Sequence, residues 1–205
     1  MTHTPEKPTS RPVRPLGRAV VALAACALAV SSFLAGAQGV SGSSTAGTGT
    51  ASRAGAMVSR GDSKMMTDLA QANIAEIETG ELALEKSRNE QVRKFAQHMV
   101  DEHTSALKEL QTFAQAKGVT LPHGADLKHK TMATALKIMS GNTFDSQYMK
   151  RAGVGDHQQT IELLQKTQRN ARDPELKAMA TKMLPTVQAH LKMAQEGVVA
   201  VSTKK

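Results

Sequence analysis

The chain has 205 residues, a net charge of +8 and an aromatic content of 2%, with no Trp, one Tyr and one Cys. Its length fits one domain plus extensions, and a core this poor in rings must be built from Leu, Ile, Val, Ala and the 11 Met. The basic residues are dispersed and not interleaved with aromatics, which argues against nucleic-acid binding, and one Cys excludes a disulfide framework.

The chain opens on a basic, Pro-rich stretch over residues 1–18, followed by the apolar run AVVALAACALAVSSFL and the small residues Ala35 and Ala37. That is the pattern of a secretory signal peptide over residues 1–37. The run is short for a bilayer span of about 20 residues, so cleavage after Ala37 is expected ahead of retention as an anchor. Cys26 ends LAAC, similar to a lipoprotein attachment box, but an apolar stretch follows it where a polar tether is usual. Cleavage after Ala37 would leave no thiol in the mature chain. The expected location is outside the cytoplasm, in the periplasm or the extracellular space, with outer-membrane association as one form of it.

Residues 38–61 are rich in Gly, Ser, Thr and Ala and read as a flexible linker. Four of the 26 basic residues and one of the 18 acidic residues lie in residues 1–37, which leaves +5 beyond them. This mild excess implies at most a weak attraction to anionic membranes or envelope polymers.

Residues 62–200 carry a helical apolar period, and 201–205 read as a tail. The first helix is expected over Ser63 to Ser87, with Met66, Leu69, Ile74, Ile77 and Leu84 on its stripe. Asn89 is the expected N-cap of a second helix, Glu90 to Lys117, which Gly118 ends. VTLPHGADLKHK connects to a short helical piece, TMATALKIM, and Asn142 or Thr143 is expected to cap a third long helix, Phe144 to Arg169. Asp173 caps the fourth, with Pro174 at its first position, running to about Glu196. Pro185 within it predicts a kink or bulge. The fold class is therefore all-α: a ferritin-like four-helix bundle of two antiparallel hairpins joined by a crossover with a short extra helix. The halves also resemble each other, VRKFAQHM beside LKAMATKM. Duplication and convergent helix composition both account for that.

One potential ligand falls on the apolar stripe of each long helix: Glu76, His103, His157 and His190. Counting from the expected turns sets Glu76 opposite His103 and leaves His157 and His190 offset by about 7 Å at 1.5 Å per residue. A ferritin-like di-iron centre needs Glu-x-x-His on two helices, and no Glu here has a His three residues later. The three histidines occur instead in VDEH, VGDH and VQAH. Two readings remain. In one the histidines are buried polar residues hydrogen-bonded to Asp101, Asp156, Glu76, a backbone carbonyl or water. In the other they form a single-metal site with Glu76, for Zn, Cu or, less suitably, Fe. The first reading expects no cofactor. His98, Asp101 and Glu102 read as a solvated face, and His123 and His129 as exposed. No phosphate loop, Ser/His/Asp set or nucleophilic Cys is present, so no enzymatic activity is expected.

IAEIETGELALEKSRNEQVRKFAQHMVDEHTSALKEL, SGNTFDSQYM, DHQQTIELL and DPELKAMATKMLPTVQAHLKMA together resemble the bacterial exported domain of unknown function 4142 over roughly Ser63 to Ala194. DEHT departs from the family's usual Asp-His pair through Glu102. The resemblance implies a ferritin-like fold and export, often at the outer membrane, and no established activity. The function expected is an envelope structural or interaction module with an envelope component as partner. A metal-binding or redox protein is the alternative, and a sensor of small apolar ligands in a Met-lined core is a third reading.

Overall fold

The computed structural model describes residues 58–203, and these are helices and turns without a strand. The expected signal peptide, Cys26 and all but the last residues of the expected linker lie outside them. Helix α1, Arg60–Lys86, starts where Ser59 Oγ accepts the Asp62 N–H at 3.0 Å. Helix α2, Glu90–Ala116, starts at Asn89, whose Oδ1 accepts the Gln91 and Val92 N–H groups. Gly118, at φ +70°, follows its end, a conformation that costs a residue without Cβ nothing. Helix α3, Leu127–Lys137, is capped by Asp126, so it begins four residues ahead of the expected piece.

Helix α4, Gly141–Tyr148, follows Ser140 rather than a cap at Asn142 or Thr143. It passes directly into a π-helical segment, Met149–Asp156, and then into α5, His157–Asn170, with no non-helical residue between them. Helix α6, Pro174–Thr203, opens with Asp173 Oδ1 accepting from Glu175 and Leu176 N–H and extends through residues 201–203.

The widened helical stretch lies away from Pro185. Helix α6 runs through Pro185, which faces solvent. There the carbonyl of Thr181, four residues back, loses its N–H partner and is left to water. The chain instead widens at Met149–Asp156, where Gly153 and Gly155 tolerate the change of pitch.

The facing pairs run in opposite senses. Gly80 meets Ala96 and Val100 while Asn73 meets His103, so α1 and α2 are antiparallel. Gly153 meets Ala194 while Gln168 meets Thr181, so the π–α5 stretch and α6 are antiparallel. Three residues, Ala171 to Asp173, separate α5 from α6. This register removes the predicted offset: His157 and His190 have ring centroids 5.4 Å apart.

The apolar core has two parts. One holds Phe95, Met99, Phe144, Tyr148, Met149 and Ala194. The other holds Leu69, Leu110, Leu164, Leu176 and Val187. Each such side chain contributes about 1.5–3 kcal/mol by leaving water. Between the two parts every long helical stretch turns a polar residue inward. His103 lies between Met99 and Leu110, His157 between Ala152 and Leu164, and His190 between Val187 and Ala194. On α1, Asn73 and Glu76 lie between Leu69 and Ala83. A polar layer thus divides an otherwise apolar interior.

Candidate metal centre

His103, His157 and His190 are 5%, 1% and 2% exposed. Each offers one ring nitrogen, and the three atoms lie within 4.8 Å of one another. Ring centroids stand 5.5 Å apart for His103 and His157 and 5.3 Å for His103 and His190. One ion with metal–nitrogen bonds of about 2.0–2.1 Å holds its nitrogens about 3.3–3.5 Å apart, so the rings would draw together by up to about 1.5 Å to share one.

The hydrogen bonds of two rings fix which nitrogen stays free. Asn73 Nδ2 donates to the Leu69 carbonyl at 2.7 Å, which turns Asn73 Oδ1 toward His103 Nδ1 at 3.0 Å. An amide oxygen only accepts, so His103 Nδ1 carries the proton and Nε2 keeps its lone pair. His157 Nδ1 lies 3.3 Å from the Ala152 carbonyl and must likewise be the donor. That carbonyl lies in the π segment, five residues before the ring it orients. Donation from the far ring nitrogen to a protein acceptor is the usual support of a metal-binding histidine.

Six polar atoms of this layer have no hydrogen-bond partner: His103 Nε2, His157 Nε2, both ring nitrogens of His190 and both carboxyl oxygens of Glu76. Leaving a buried polar atom unpaired costs about 1–3 kcal/mol. A fold stable by about 5–15 kcal/mol needs partners for such a set from outside the chain, an ion or water. Protein groups therefore partner two Nδ1 atoms of the histidines and none of the Nε2 atoms.

Burial dominates the electrostatics. It pushes His157 and His190 down to about 4 and His103 well below its ordinary value, with the neighbouring imidazoles adding to the shifts of His103 and His190. The Ala152 and Gly153 carbonyls partly oppose the shift of His157. At neutral pH the three rings are uncharged, the form that binds metal.

Glu76 takes a different place from the three histidines. It is buried, and its Oε1 is 3.2 Å from His157 Nδ1, the nitrogen already directed at Ala152. It stands behind the His157 ring and is not one of the converging atoms. Burial first, then Asp156, raises its carboxyl well above the usual range and favours the neutral acid. Tyr148 is raised by burial and by Glu76.

The hydrogen-bond partners expected from sequence are mostly engaged elsewhere. Asp101 is exposed and accepts from Gln97 Nε2 at 2.9 Å. Asp156 lies 3.8 Å from His129 Nε2. His129 is not exposed as expected: its side chain is 12% accessible, with Nδ1 2.9 Å from Asp126 Oδ1. His98, assigned to a solvated face, is exposed, yet its ring centroid is 5.3 Å from that of His190. Glu102 Oε2 is 3.8 Å from His190 Nε2. No periodicity within α2 could reveal these approaches, because they depend on how α6 packs beside it. A cavity of about 290 Å3, lined in part by Asn73, His103, Thr160, Met183, Val187 and His190, leads to the layer from the side of Asp101, Glu102 and Glu109.

The fold is similar to that of a solved DUF305 fragment from Deinococcus radiodurans, with a TM-score of 0.63 and 13% identity over 71% of this chain and 99% of that one. It is also similar to CopM in a Cu(II)-bound form, with a TM-score of 0.57 and 20% identity over 68% of this chain and 96% of that one. A silver-bound form of CopM, prepared by soaking, gives a TM-score of 0.54 at 20% identity, over 66% and 92% of the two chains. Identities this low establish a shared helical fold and nothing finer. No curated protein matches the chain. The family model described as "Domain of unknown function (DUF4142)" matches residues 47–196, and the chain belongs to that family.

Proposed function

We propose that this protein is an exported, ferritin-like four-helix bundle that binds one late first-row metal ion, copper or zinc, on His103, His157 and His190. In this reading α4, the π segment and α5 act as one rod beside α1, α2 and α6, and α3 belongs to the crossover. The observation that carries it is the convergence of three buried, neutral imidazoles whose Nε2 atoms lack protein partners. Imidazole donors without a carboxylate among them suit copper or zinc better than iron pairs, which need bridging carboxylates. Glu76 supports His157 from behind instead of serving as a fourth ligand. The structural neighbour CopM is described as Cu(II)- and Ag-bound, which favours copper. The envelope-module role expected first from sequence has no comparable constellation in its favour.

The test is elemental analysis of the mature protein purified without chelators. About one copper or zinc per chain, lost in a His103→Ala/His190→Ala variant that keeps its helical content, supports the reading. Metal-free protein whose melting temperature does not move on adding Cu(II) or Zn(II) overturns it.

A further inference from the structure

We infer that Glu102 at the cavity mouth and His98 one turn before it on α2, with His190, form an outer cation position through which a metal ion passes to the buried histidines. This rests on the metal-binding reading above and adds a route to it.

His98 and Glu102 are four residues apart on α2, so they sit one turn apart on the same face. An imidazole and a carboxylate at that spacing are suitable donors for a divalent ion. Both lie at the surface, His98 exposed and the Glu102 side chain 45% accessible. Both adjoin the same buried residue: the His98 ring is 5.3 Å from the His190 ring, and Glu102 Oε2 is 3.8 Å from His190 Nε2. His190 is 2% exposed, and neither ring nitrogen has a hydrogen-bond partner. It is therefore the one imidazole of the layer that no protein hydrogen bond orients, and it stands between His98 and its two oriented neighbours.

The other mouth carboxylates are occupied. Glu109 pairs with Lys182 at 2.7 Å, and Asp101 accepts from Gln97. Among the described residues Glu102 meets only His190, so its charge is available to an incoming cation. His98 and Glu102 do not join the atoms that already lie within 4.8 Å of one another. Surface donors that no protein hydrogen bond holds suit a transit position, whereas buried, oriented donors suit a resident one. The expected sequence is capture by His98 and Glu102, exchange onto His190, and closure by His103 and His157.

Stopped-flow mixing of the metal-free protein with Co(II), read by its visible absorption, separates the two positions. Wild-type protein, His98→Ala, Glu102→Gln, the double variant and His123→Ala (an exposed histidine away from the mouth) are compared. The inference expects the double variant to load about tenfold more slowly, with unchanged final stoichiometry and spectrum, and His123→Ala to load like wild type. Equal loading rates overturn the outer position and leave the buried site standing. Loss of final occupancy in the double variant also overturns it, since the two residues would then be resident ligands. A wild-type protein that never develops the Co(II) spectrum overturns both readings. All the altered side chains are at the surface, so folding, checked by circular dichroism, is retained.

Discussion

His103 Nδ1 donates to Asn73 Oδ1 at 3.0 Å while Asn73 Nδ2 holds the Leu69 carbonyl at 2.7 Å. One amide on α1 thereby fixes both the tautomer and the orientation of an imidazole on α2. Asn73→Leu keeps the volume and removes the acceptor. It leaves His103 Nδ1 without a partner and lets the ring take either tautomer. Cu(II) affinity, measured by competition with a chelator of known strength, is expected to fall about 10–100-fold, with helical content unchanged. Affinity equal to wild type would show that Asn73 plays no part in orienting the ring.

The metal-free protein is expected to lose stability in mild acid. His157 and His190 titrate near 4 in the fold, against 6.5 when free. Between these values the unfolded chain binds more protons, so stability falls as pH drops from 6.5 to 4. Each histidine contributes about 1.4 kcal/mol per pH unit. Glu76 acts in the opposite sense. Its native value is raised above 4.5, so its favourable contribution is present at low pH and is lost as pH rises through the native value. Glu76→Gln should therefore steepen the loss between pH 6.5 and 4.5 and raise the melting temperature at pH 8. Melting curves of wild type and variant that stay parallel from pH 4 to 8 would contradict this assignment of charges.

The histidine layer was legible because it interrupts apolar stripes of known period. Met99, His103 and Leu110, or Val187, His190 and Ala194, face inward in any amphipathic helix of that register. The π segment also left a trace: along Tyr148, Ala152, His157, Thr160 and Leu164 one step is five residues, which a regular helix would not put on one face. Pro185 drew the expectation of a kink or bulge instead, and at this solvent-facing position α6 stays helical through it. The role of Asn73 stayed hidden because an Asn beside Glu76 carries no sign of which ring it will meet. His98 and Glu102 looked like solvated face because a helix stripe says nothing of a neighbour crossing its edge. Both ends of α2 were readable to within a residue, since Asn89 and Gly118 act through local backbone geometry.

Asp62 ties the start of α1 to the α5–α6 turn. Its two carboxylate oxygens accept the Arg172 and Asp173 N–H groups at 2.9 and 3.1 Å, and it is 2% exposed. That turn sets the register of His157 against His190. Asp62→Ala removes two charge-assisted bonds and is expected to cost about 2–3 kcal/mol in urea denaturation. The start of α1 should also exchange its amide protons faster. A loss below about 0.5 kcal/mol, the range of neutral surface changes, would show that the turn holds its shape unaided.

Gly80 sets how closely α1 approaches α2 one turn beyond Glu76. A Cβ built there would lie 2.8 Å from Val100 Cγ2 and 3.1 Å from the Ala96 carbonyl oxygen. Val100 can turn away, but a backbone carbonyl can yield only if α2 moves. In an open helix, Gly to Ala would gain about 1 kcal/mol from propensity alone. Here the overpacking cost of about 1–3 kcal/mol opposes that gain, so Gly80→Ala is expected to be neutral to destabilising by about 2 kcal/mol. Because His103 lies further along the same α1–α2 contact, the displacement should also weaken Cu(II) binding by more than the stability change alone explains. A Gly80→Ala protein more stable than wild type, with unaltered metal affinity, would mean that the two helices separate there without strain.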